Sequence, residues 1–499
     1  AHMFQPLFDE AVVVENHATN GRSTKSFRAE GRWARVCDRL RPGDYVFIQF
    51  GHNDQKINDS TRYSTPAQYA ENRYVHEARA KGATPVLLTP IVRRHFVDGV
   101  LTDTHTDYPD AMRRVAAEEG VVLIDMEPAT REWVASLGDE ASKAYYMWVA
   151  PGRCPLYPDG RQDDTHLNVR GAHEVARMVA ERLCEQLPEL GQHYRPADFV
   201  AAKDGSGDFF TVGEAVAAIP DYCGAKTRIV VCGGLYREKI AVPASKRNVV
   251  LEGRGDATVS WGAYASQTGP TGHPTGTSGS STVYFGGDGW EVRSLTFGNT
   301  AGRVGQAVAV QCLGTGLHFY NCRFLGNQDT LYLHGRGNCD GRKVDGNSVC
   351  IFEDCYVEGT TDFIFGSAAA LFVRCEIRSK ADSYITAAST CMGQSAGFVF
   401  LQCRLTADEG VDACYLGRPW RDHAQTCFLS CELGAHIRPA GWHDWNKPHA
   451  RKTVRYGEFG CTGPGASAAG RVKWARKMNS GDAAEALRFF GLPDGFARR

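Results

Sequence analysis

Continuous apolar runs alternate with amphipathic stretches through the first 195 residues. Residues 67–82 and 108–120 have apolar positions at helical spacing, and the second stretch ends on Gly120, which suits a helix C-cap. The apolar runs are rich in β-branched residues, as expected for parallel strands buried on both faces: residues 11–16, 44–50, 84–91 and 120–125. This alternation predicts a doubly wound α/β sheet with its site at the carboxyl ends of the strands.

The pattern changes beyond residue 195 to short apolar runs with frequent Gly and Asn. A motif Phe-x-x-Cys-x-apolar recurs there, with its cysteines at Cys322, Cys355, Cys375, Cys403 and Cys431. An earlier copy has Leu295 in the cysteine position. Such a repeat predicts the stacked rungs, about 4.8 Å apart, of a right-handed parallel β-helix. We place the boundary near Pro196, which predicts domains of residues 1–195 and 196–499.

The cysteines have a structural interpretation. The chain has 17 of them, so at least one is unpaired. In stacked rungs the five repeat cysteines form one buried column, where small apolar thiols pack well without oxidation. We therefore expect a reduced ladder rather than disulfides. Cys339 and Cys350 flank a polar insertion, and a disulfide between them is an open alternative.

Length and charge narrow the function classes. A chain of 499 residues predicts two domains, each large enough for its own core. The 56 Lys and Arg residues nearly balance the 57 Asp and Glu residues, so overall charge indicates neither nucleic acid nor a membrane surface as a partner. No apolar run approaches the roughly 20 residues that cross a bilayer.

Acidic and basic side chains fall at turn-like points of successive rungs in the second half. Asp329 and Asp362 each precede a strand-like run, so stacking predicts that they lie side by side. Adjacent carboxylates do not ionise equally, and Arg418 is the cation expected to keep one of them charged. A single Asp in such a turn more often satisfies backbone groups. Further amide and aromatic residues occupy similar points: Gln306, Gln328, Tyr332 and Trp420. The combination favours an active site.

These motifs, in this order, resemble the pectin methylesterases, carbohydrate esterases built on a β-helix. The similarity extends from residues 198–209 to residues 456–466, about 300 residues in all. It implies that Asp362 is the nucleophile, is kept ionised by Arg418, and attacks the C6 carbonyl of a methylated galacturonate. It also implies that Asp329 protonates the departing methanol and then activates the hydrolytic water.

The same resemblance implies the supporting roles. Gln306 and Gln328 would donate side-chain N–H groups to the oxyanion. Trp420, with Tyr332 and Phe363, would form apolar walls for the sugar faces or the ester methyl group. No metal and no other cofactor is required. The implied partner is pectin (homogalacturonan), and since this polymer is extracellular, a secreted or periplasmic protein is expected.

Other polar residues of this half are interpreted more simply. His436 and His443 lack a metal-ligand spacing and are expected to be polar surface or turn residues. The insertion is expected to be a solvated loop, because it contains the charged residues Arg336, Arg342 and Lys343. The alternative is that they contact carboxylates of polymer that has already lost its esters.

Three fragments of the first half carry candidate chemistry: NGRST at residues 20–24, GHND at 51–54 and DDTHLN at 163–168. Each alone is compatible with a turn or a helix cap. Together, on an α/β sheet, they resemble the SGNH hydrolases, most closely the rhamnogalacturonan acetylesterases, which implies an α/β/α flavodoxin-like fold. By that resemblance Gly21 and Asn53 supply N–H groups to the oxyanion hole, His166 is the general base and Asp163 orients it.

The serine nucleophile of such a site is expected in a Gly-Asp-Ser turn after the first strand, and no Gly-Asp-Ser occurs in the sequence. Ser23 belongs to the second block instead. Residues 11–16 are then expected to be the second strand of an N-terminally truncated, incomplete sheet. We expect little or no esterase activity from this half, and an exposed sheet edge that the second domain or the partner of a homodimer covers.

Three alternatives to a methylesterase alone stay open. A native chain longer than this one would be a bifunctional methyl and acetyl esterase. A polysaccharide lyase on the same fold would need Ca²⁺-binding carboxylates and would yield unsaturated products. A non-catalytic pectin-binding module would keep the groove but release no methanol.

Overall fold

The computed structural model describes residues 3–9, 11–71, 73–152, 156–195, 197–224, 226–269, 272–335 and 348–491. The chain divides into two compact units. The first unit comprises Ala1–Pro196 with Gly205–Asp208, and the second comprises Ala197–Asp204 with Phe209–Arg499. Among the described residues, no helix combines the length and the apolar character needed to span a membrane.

The first unit contains a parallel sheet of three strands, in the order Tyr45–Gln49, Thr84–Leu88, Val122–Ile124. Alternate residues of these strands face opposite sides: Leu87 packs in one apolar cluster, whereas Val86 and Leu88 pack in another. Both faces are therefore covered, as predicted. Chain order equals spatial order here, which is the arrangement of strands 3, 4 and 5 in a flavodoxin-like sheet.

Helices cover this sheet, and a two-stranded hairpin, Phe96–Val97 with Val100–Leu101, lies apart from it. Gly120 ends one helix with a φ of 57°, as its sequence position predicts. The α-helices are Thr24–Ala29, Arg32–Arg39, Pro66–Ala70, Arg73–Ala80, Tyr108–Glu119, Met126–Ser142, Val169–Gln186 and Pro188–Gly191, and the 3₁₀ helices are Gln5–Leu7 and Lys143–Tyr145.

Residues 11–16 do not form the predicted strand. Residues 12–19 have no regular structure, and Val13 is 80% exposed. The side chain of Gln5 instead pairs with this segment, donating to the carbonyl of Val12 (2.7 Å) and accepting from the N–H of Val14 (2.6 Å). In a flavodoxin-like order the second strand pairs only with the first. Within the described part of the chain no strand pairs with residues 11–16, and an unpaired strand is not stable.

The second unit is a parallel β-helix, which confirms the prediction from the repeat. Three parallel sheets run along it. Sheet 1 contains Ile240–Val242, Val283–Phe285, Val310–Cys312, Leu331–Leu333, Ile364–Gly366, Tyr384–Ala388 and Tyr415–Gly417. Sheet 2 contains Trp290–Arg293, Leu317–Tyr320, Val349–Glu353, Ala369–Val373, Phe398–Leu401, Gln425–Leu429 and Arg455–Phe459. Sheet 3 contains Thr296–Asn299, Arg323–Leu325, Tyr356–Gly359, Glu376–Ser379, Arg404–Ala407 and Glu432–Leu433.

Two long strands, Thr227–Arg237 and Val249–Trp261, begin the coil, and Val249–Trp261 pairs with the first strands of both sheet 2 and sheet 3. The helix Ser480–Arg488 packs Ala483 and Leu487 on the outer face of sheet 2. The remaining elements of the unit are short: strands Phe199–Ala201 and Arg476–Lys477, α-helices Val212–Ala218 and Gly276–Gly279, and 3₁₀ helices Ala450–Lys452 and Pro464–Ala466.

The Phe-x-x-Cys repeat forms the corner between sheets 2 and 3. Its phenylalanines stack in one interior column with ring centroids 4.5–4.9 Å apart: Phe319, Phe352, Phe372, Phe400 and Phe428. The residue before each cysteine has a left-handed backbone with φ of 51–54°: Asn321, Asp354, Arg374, Gln402 and Ser430. This residue makes a sharp bend in the chain. Because of the bend, the phenylalanine before it and the cysteine after it both face the interior.

The five repeat cysteines are buried and free, which confirms the expected reduced ladder. From Cys355 onward, each thiol donates to the carbonyl of the phenylalanine one rung earlier at 3.4 Å. Cys350 is also free and buried, whereas Cys339 lies outside the described residues. Cys391 is disulfide-bonded.

Candidate active site

Asp329 and Asp362 occupy equivalent positions on adjacent rungs of sheet 1. Leu331 pairs with Ile364 in register, and the two aspartates stand two residues before these partners. Each has a left-handed backbone, with φ of 67° at Asp329 and 48° at Asp362. Such a conformation costs on the order of 1–3 kcal/mol and is concentrated at functional sites. Both side chains are nearly buried, with 7% and 5% of the residue exposed.

Arg418 directly follows the strand Tyr415–Gly417, two rungs further along, and reaches back to Asp362. Its guanidinium donates from Nε to Oδ1 (2.9 Å) and from Nη2 to Oδ2 (2.6 Å), a bidentate pair. The column of sheet 1 that leads to Arg418 contains Phe365 and then Ala387. Because Ala387 has a short side chain, it leaves room for the arginine to extend back toward Asp362.

The two carboxyl groups have different electrostatic surroundings. Burial, and then the charge of Asp362, raise the pKa of Asp329 to about 8, although Arg418 and a hydrogen bond with Gln328 oppose this shift. Burial also raises the pKa of Asp362, and the hydrogen bonds and the charge of Arg418 reduce this shift, although the pKa stays above its ordinary value. The surroundings therefore favour the protonated form at Asp329 and favour the carboxylate at the arginine-bound Asp362.

Both candidate glutamines lie beside the carboxyl pair. Gln328 directly precedes Asp329, and its side chain is hydrogen-bonded to that carboxyl group. Its backbone carbonyl accepts the N–H of Ala307 (3.1 Å), so Gln306 lies on the adjacent rung. Gln306 is exposed and Gln328 is half-buried, and both side chains therefore remain accessible to a substrate.

An aromatic wall lines the same face of sheet 1. Tyr332 and Phe365 are paired in register and stack at 4.3 Å, and Trp420 lies 5.8 Å from Phe365. Phe363 is not part of this wall. It is fully buried in the interior of the coil, where it packs in the main core, so it is excluded from substrate contact. The chain bends at Asp362 and turns the next side chain inward.

Phe365 was not predicted from the sequence, although a signal for it exists. Cys322 and Cys355 are 33 residues apart, and the same offset relates Asp329 to Asp362. Adding the same 33 residues to the position of Tyr332 gives Phe365. The offset of one rung therefore identifies the aromatic neighbour, whereas adjacency to Asp362 suggests the wrong residue.

Three further residues surround the site without having been predicted to do so: Tyr384, Trp445 and His443. The rings of Tyr384 and Trp445 lie against the guanidinium of Arg418. His443 is half-buried and contacts the ring of Tyr384. His436 lies in a turn, as expected, but it is not a surface residue, because it is only 5% exposed. Burial lowers the pKa of His436.

In the first unit, the structure brings together parts of the second candidate site. His166 Nδ1 is 2.9 Å from Asp163 Oδ2, and the backbone N–H of His166 donates to Asp163 Oδ1 (2.9 Å). Burial raises the pKa of Asp163, but hydrogen bonds from Arg161 and His166 outweigh it and hold the pKa well below its ordinary value. The carboxylate is thus ionised, and it fixes the imidazole with Nε2 pointing outward.

The oxyanion candidates of the first unit adjoin each other. Asn53 donates its side-chain N–H to the carbonyl of Arg22 (3.1 Å), next to Gly21, whose φ is 75°. Ser23 is fully buried and caps the helix Thr24–Ala29 by accepting from the N–H of Ser26. Its hydroxyl therefore has a structural role.

The described residues contain no group of three or more His, Cys, Asp or Glu side chains able to hold a metal ion. Arg336, Arg342 and Lys343 lie outside the described residues.

Comparison with known proteins identifies relatives of both units. Residues 198–492 match the family model described as Pectinesterase, and residues 1–173 match the GDSL-like Lipase/Acylhydrolase family. Pectinesterase QRT1 of Arabidopsis thaliana is 36% identical over 291 residues, which are 56% of this chain and 73% of the relative.

Solved structures match the second unit as well. A pectin methylesterase from carrot is 31% identical with a TM-score of 0.53, and the match covers 60% of this chain and 97% of the carrot chain. A pectin methylesterase in complex with a hexasaccharide is 26% identical with a TM-score of 0.50, covering 58% and 95%.

Proposed function

The chain belongs to the pectinesterase family, and from this we propose that it hydrolyses the methyl esters of pectin (homogalacturonan), giving pectate and methanol. In this proposal residues 196–499 carry the activity, and residues 1–195 form a domain related to pectin acetylesterases. The observation that carries it is the unequal carboxyl pair: Arg418 binds Asp362, while the pKa of Asp329 is raised to about 8.

In the first half of the reaction, a carboxylate oxygen of Asp362 attacks the C6 carbonyl of a methylated galacturonate. The carbonyl electron pair moves to oxygen, and the N–H groups of Gln306 and Gln328 stabilise this oxyanion, a contribution of about 2.7–4 kcal/mol per donor in comparable sites. When the tetrahedral intermediate collapses, the C6–O bond to the methoxy group breaks. Asp329 gives its proton to the departing methanol, which leaves an acyl anhydride on Asp362.

In the second half, the ionised Asp329 accepts a proton from water as the water oxygen attacks the same carbonyl carbon. The anhydride bond breaks, Asp362 is regenerated as a carboxylate, and the galacturonate leaves with a free carboxyl group. Asp329 is again protonated. Atoms and charges balance without any further reactant.

The aromatic wall supports a polysaccharide substrate. Trp420 is half-buried and presents apolar surface near the carboxyl pair, and sugar rings pack their C–H faces on such surfaces. Tyr332 and Phe365, which are 8% and 4% exposed, support Trp420 from behind. A related pectin methylesterase has been solved in complex with a hexasaccharide. We propose that the polymer lies along sheet 1 with the scissile ester above Asp362, and that the protein acts outside the cytoplasm, where pectin occurs.

The test is methanol release from methylated pectin. Asp362→Asn removes the nucleophile and is expected to lower the rate at least about a thousandfold. The matched control is Asp354→Asn, a second aspartate with a left-handed backbone (φ 53°) that lies at the corner of sheets 2 and 3, and it is expected to keep the wild-type rate.

The same experiment separates the alternatives. A lyase would release unsaturated, ultraviolet-absorbing products and would be inhibited by a chelator. A binding module would bind pectin but release no methanol even before substitution. Either result would refute the methylesterase proposal.

For the first unit we propose a relation to acetylesterases without turnover in the printed chain, because the sequence contains no Gly-Asp-Ser beside which His166 could act as a base. Acetate release from acetylated pectin is the measurement. Serine-level turnover that disappears in Asn53→Ala or His166→Ala would contradict the proposal and would favour a bifunctional esterase.

A further inference from the structure

The guanidinium of Arg418 is held between two aromatic rings. Its Cζ atom lies 3.9 Å from the ring centre of Tyr384 and 3.7 Å from that of Trp445. The side chain of Arg418 is only 18% exposed. Stacking of this kind leaves the edge of the guanidinium plane free to donate hydrogen bonds while the faces are covered. The edge points to Asp362.

Two carboxyl groups compete for this cation. The charge of Arg418 acts on the pKa of both Asp329 and Asp362, although its hydrogen bonds go to Asp362. A long arginine side chain turns readily about its single bonds. Because the two aspartates are equivalent in register, the orientation of the guanidinium decides which of them is ionised and which is protonated.

Trp445 reaches Arg418 from a tightly folded loop. Trp445 and Asn446 both have left-handed backbones with φ of 56°, an uncommon conformation for residues other than glycine. The loop is attached to sheet 1 through the N–H of His443, which donates to the carbonyl of Gly417 (3.1 Å).

The imidazole of His443 holds this loop in its conformation. Its Nδ1 accepts the backbone N–H of Trp445 at 2.9 Å, which requires that Nδ1 carry no proton. Its ring also packs edge-on against Tyr384 (5.4 Å) and Tyr415 (5.3 Å). His443 thus contacts one ring of the pair directly and fixes the backbone of the other.

We propose that Tyr384 and Trp445 form an aromatic clamp that directs Arg418 toward Asp362 and away from Asp329, and that His443 is the positioning residue of this clamp. The inference rests on the proposed function for its kinetic test. The clamp assigns the nucleophile role to one of two equivalent aspartates.

Trp445→Ala removes one ring of the clamp. The measurement is the pH profile of kcat/KM. Among the described residues, the ionisable groups near Asp362 include Arg418, Asp329 and Tyr456, whose charges interact with it, and Tyr384, which packs on Arg418. When Arg418 is no longer directed to Asp362, the pKa of Asp362 rises. The acid limb of the pH profile is then expected to shift to higher pH by about one unit, and kcat at acidic pH is expected to fall about tenfold. Trp445→Phe keeps an aromatic face and is expected to restore the limb.

The matched control is Trp420→Ala, which removes a tryptophan of the aromatic wall that packs near Phe365 rather than on Arg418. We expect this variant to raise KM while the acid limb stays in place. If Trp445→Ala behaves in the same way, with higher KM and an unmoved acid limb, Trp445 is a sugar platform and the clamp proposal is wrong.

The role of His443 is tested by His443→Leu and His443→Asn. Leucine removes the acceptor and is expected to shift the acid limb in the same direction as Trp445→Ala. The Oδ1 atom of asparagine replaces the acceptor and is expected to keep the wild-type profile. The two His443 variants also test the clamp if Trp445→Ala does not fold. An unmoved acid limb in folded His443→Leu would overturn the positioning role.

A crystal structure of His443→Leu distinguishes this inference from the proposed function. Loss of the bidentate contact between Arg418 and Asp362 would support the clamp even if the wild-type protein released no methanol. Retention of that contact together with a displaced Trp445 would refute it.

Discussion

At the scale of single residues, Asp329 and Asp362 have the same side chain, the same register position and the same left-handed backbone. The two aspartates differ in the charges and hydrogen bonds that surround them. Burial raises the pKa of both, but Asp362 has a bidentate arginine, whereas Asp329 faces the negative charge of Asp362. We therefore expect Asp329 to act as the acid and Asp362 as the nucleophile of the proposed reaction.

The pH dependence of methanol release follows from these shifts. In the proposed mechanism Asp329 enters the reaction protonated, and since its pKa is raised to about 8, the protonated form is lost as the pH rises through that value. Activity is expected to fall on the basic side with an apparent pKa near 8. The measurement is kcat/KM on methylated pectin against pH. A profile that stays flat well above that value would contradict the assignment of Asp329 as the acid.

Asp329→Asn tests the same residue in a second way. The amide keeps the shape and can still donate a hydrogen bond, but it cannot transfer a proton to methanol or accept one from water. The rate is expected to fall by about 10²–10⁴-fold, and the basic limb is expected to disappear from the residual activity. If the variant kept the basic limb of the pH profile, that limb would belong to the titration of a group other than Asp329.

At the scale of elements, the repeated corner explains the sequence motif. The phenylalanine stacks on its neighbours, the left-handed residue turns the chain, and the cysteine fills the corner with its thiol bonded to the previous rung. A larger apolar residue would not donate that bond, and serine would introduce a stronger polar group into the core. The motif is therefore a packing unit rather than a redox or metal-binding one.

Phe400→Ala tests the stack. Phe400 is fully buried between Phe372 and Phe428, so truncation leaves a cavity and is expected to destabilise the second unit by about 3–5 kcal/mol. Tyr320→Ala is the control, because Tyr320 is 44% exposed on the outer face of sheet 2, and it is expected to change stability by about 0.5 kcal/mol or less. Urea unfolding of both variants gives the comparison, and equal effects would contradict the role of the stack.

The thiol column makes a separate prediction. The five repeat cysteines are at most 2% exposed, so an alkylating reagent does not reach their thiols. Burial raises the pKa of Cys355, Cys375 and Cys403, whereas at Cys431 burial is outweighed by hydrogen bonds with neighbouring thiols, which lower the pKa. Alkylation of the native protein is expected to leave all five unmodified, whereas alkylation in denaturant is expected to label them, as peptide mass spectrometry would report. Labelling of the native column would show that the coil opens at this corner.

At the scale of the whole molecule, the two units have separate cores. The match to the carrot pectin methylesterase covers 97% of that chain but only 60% of this one, so a homologue exists without a counterpart of the first unit. The site residues of the proposed methylesterase all lie in the second unit. Catalysis of methyl ester hydrolysis is thus expected to be independent of residues 1–196.

Expression of residues 197–499 alone tests this independence. The fragment is expected to fold and to keep kcat/KM on methylated pectin within about twofold of the full chain, since domains with their own core fold separately. The comparison uses equal concentrations of both proteins and circular dichroism to verify folding. A folded fragment with a strongly raised KM would indicate that the first unit contributes to binding of the polymer.

The sequence by itself determined the features that repeat or that depend on near neighbours. The period of the Phe-x-x-Cys motif specified a parallel β-helix, because each rung buries the same positions. It also placed Asp329 and Asp362 one rung apart, and it identified the thiols as a buried column. The helix end at Gly120 and three strands of the first unit likewise followed from local pattern.

Only the tertiary structure decided the features that depend on a distant partner. Residues 11–16 have strand-like composition, yet a strand forms only beside another strand, and among the described residues none pairs with them. Phe363 and Phe365 are both close to Asp362 in sequence, but the bend of the chain turns the first inward and the register stacks the second on Tyr332. Arg418, Tyr384 and Trp445 come from three successive rungs. Their contact exists because the coil stacks those rungs, and no spacing along the chain encodes it.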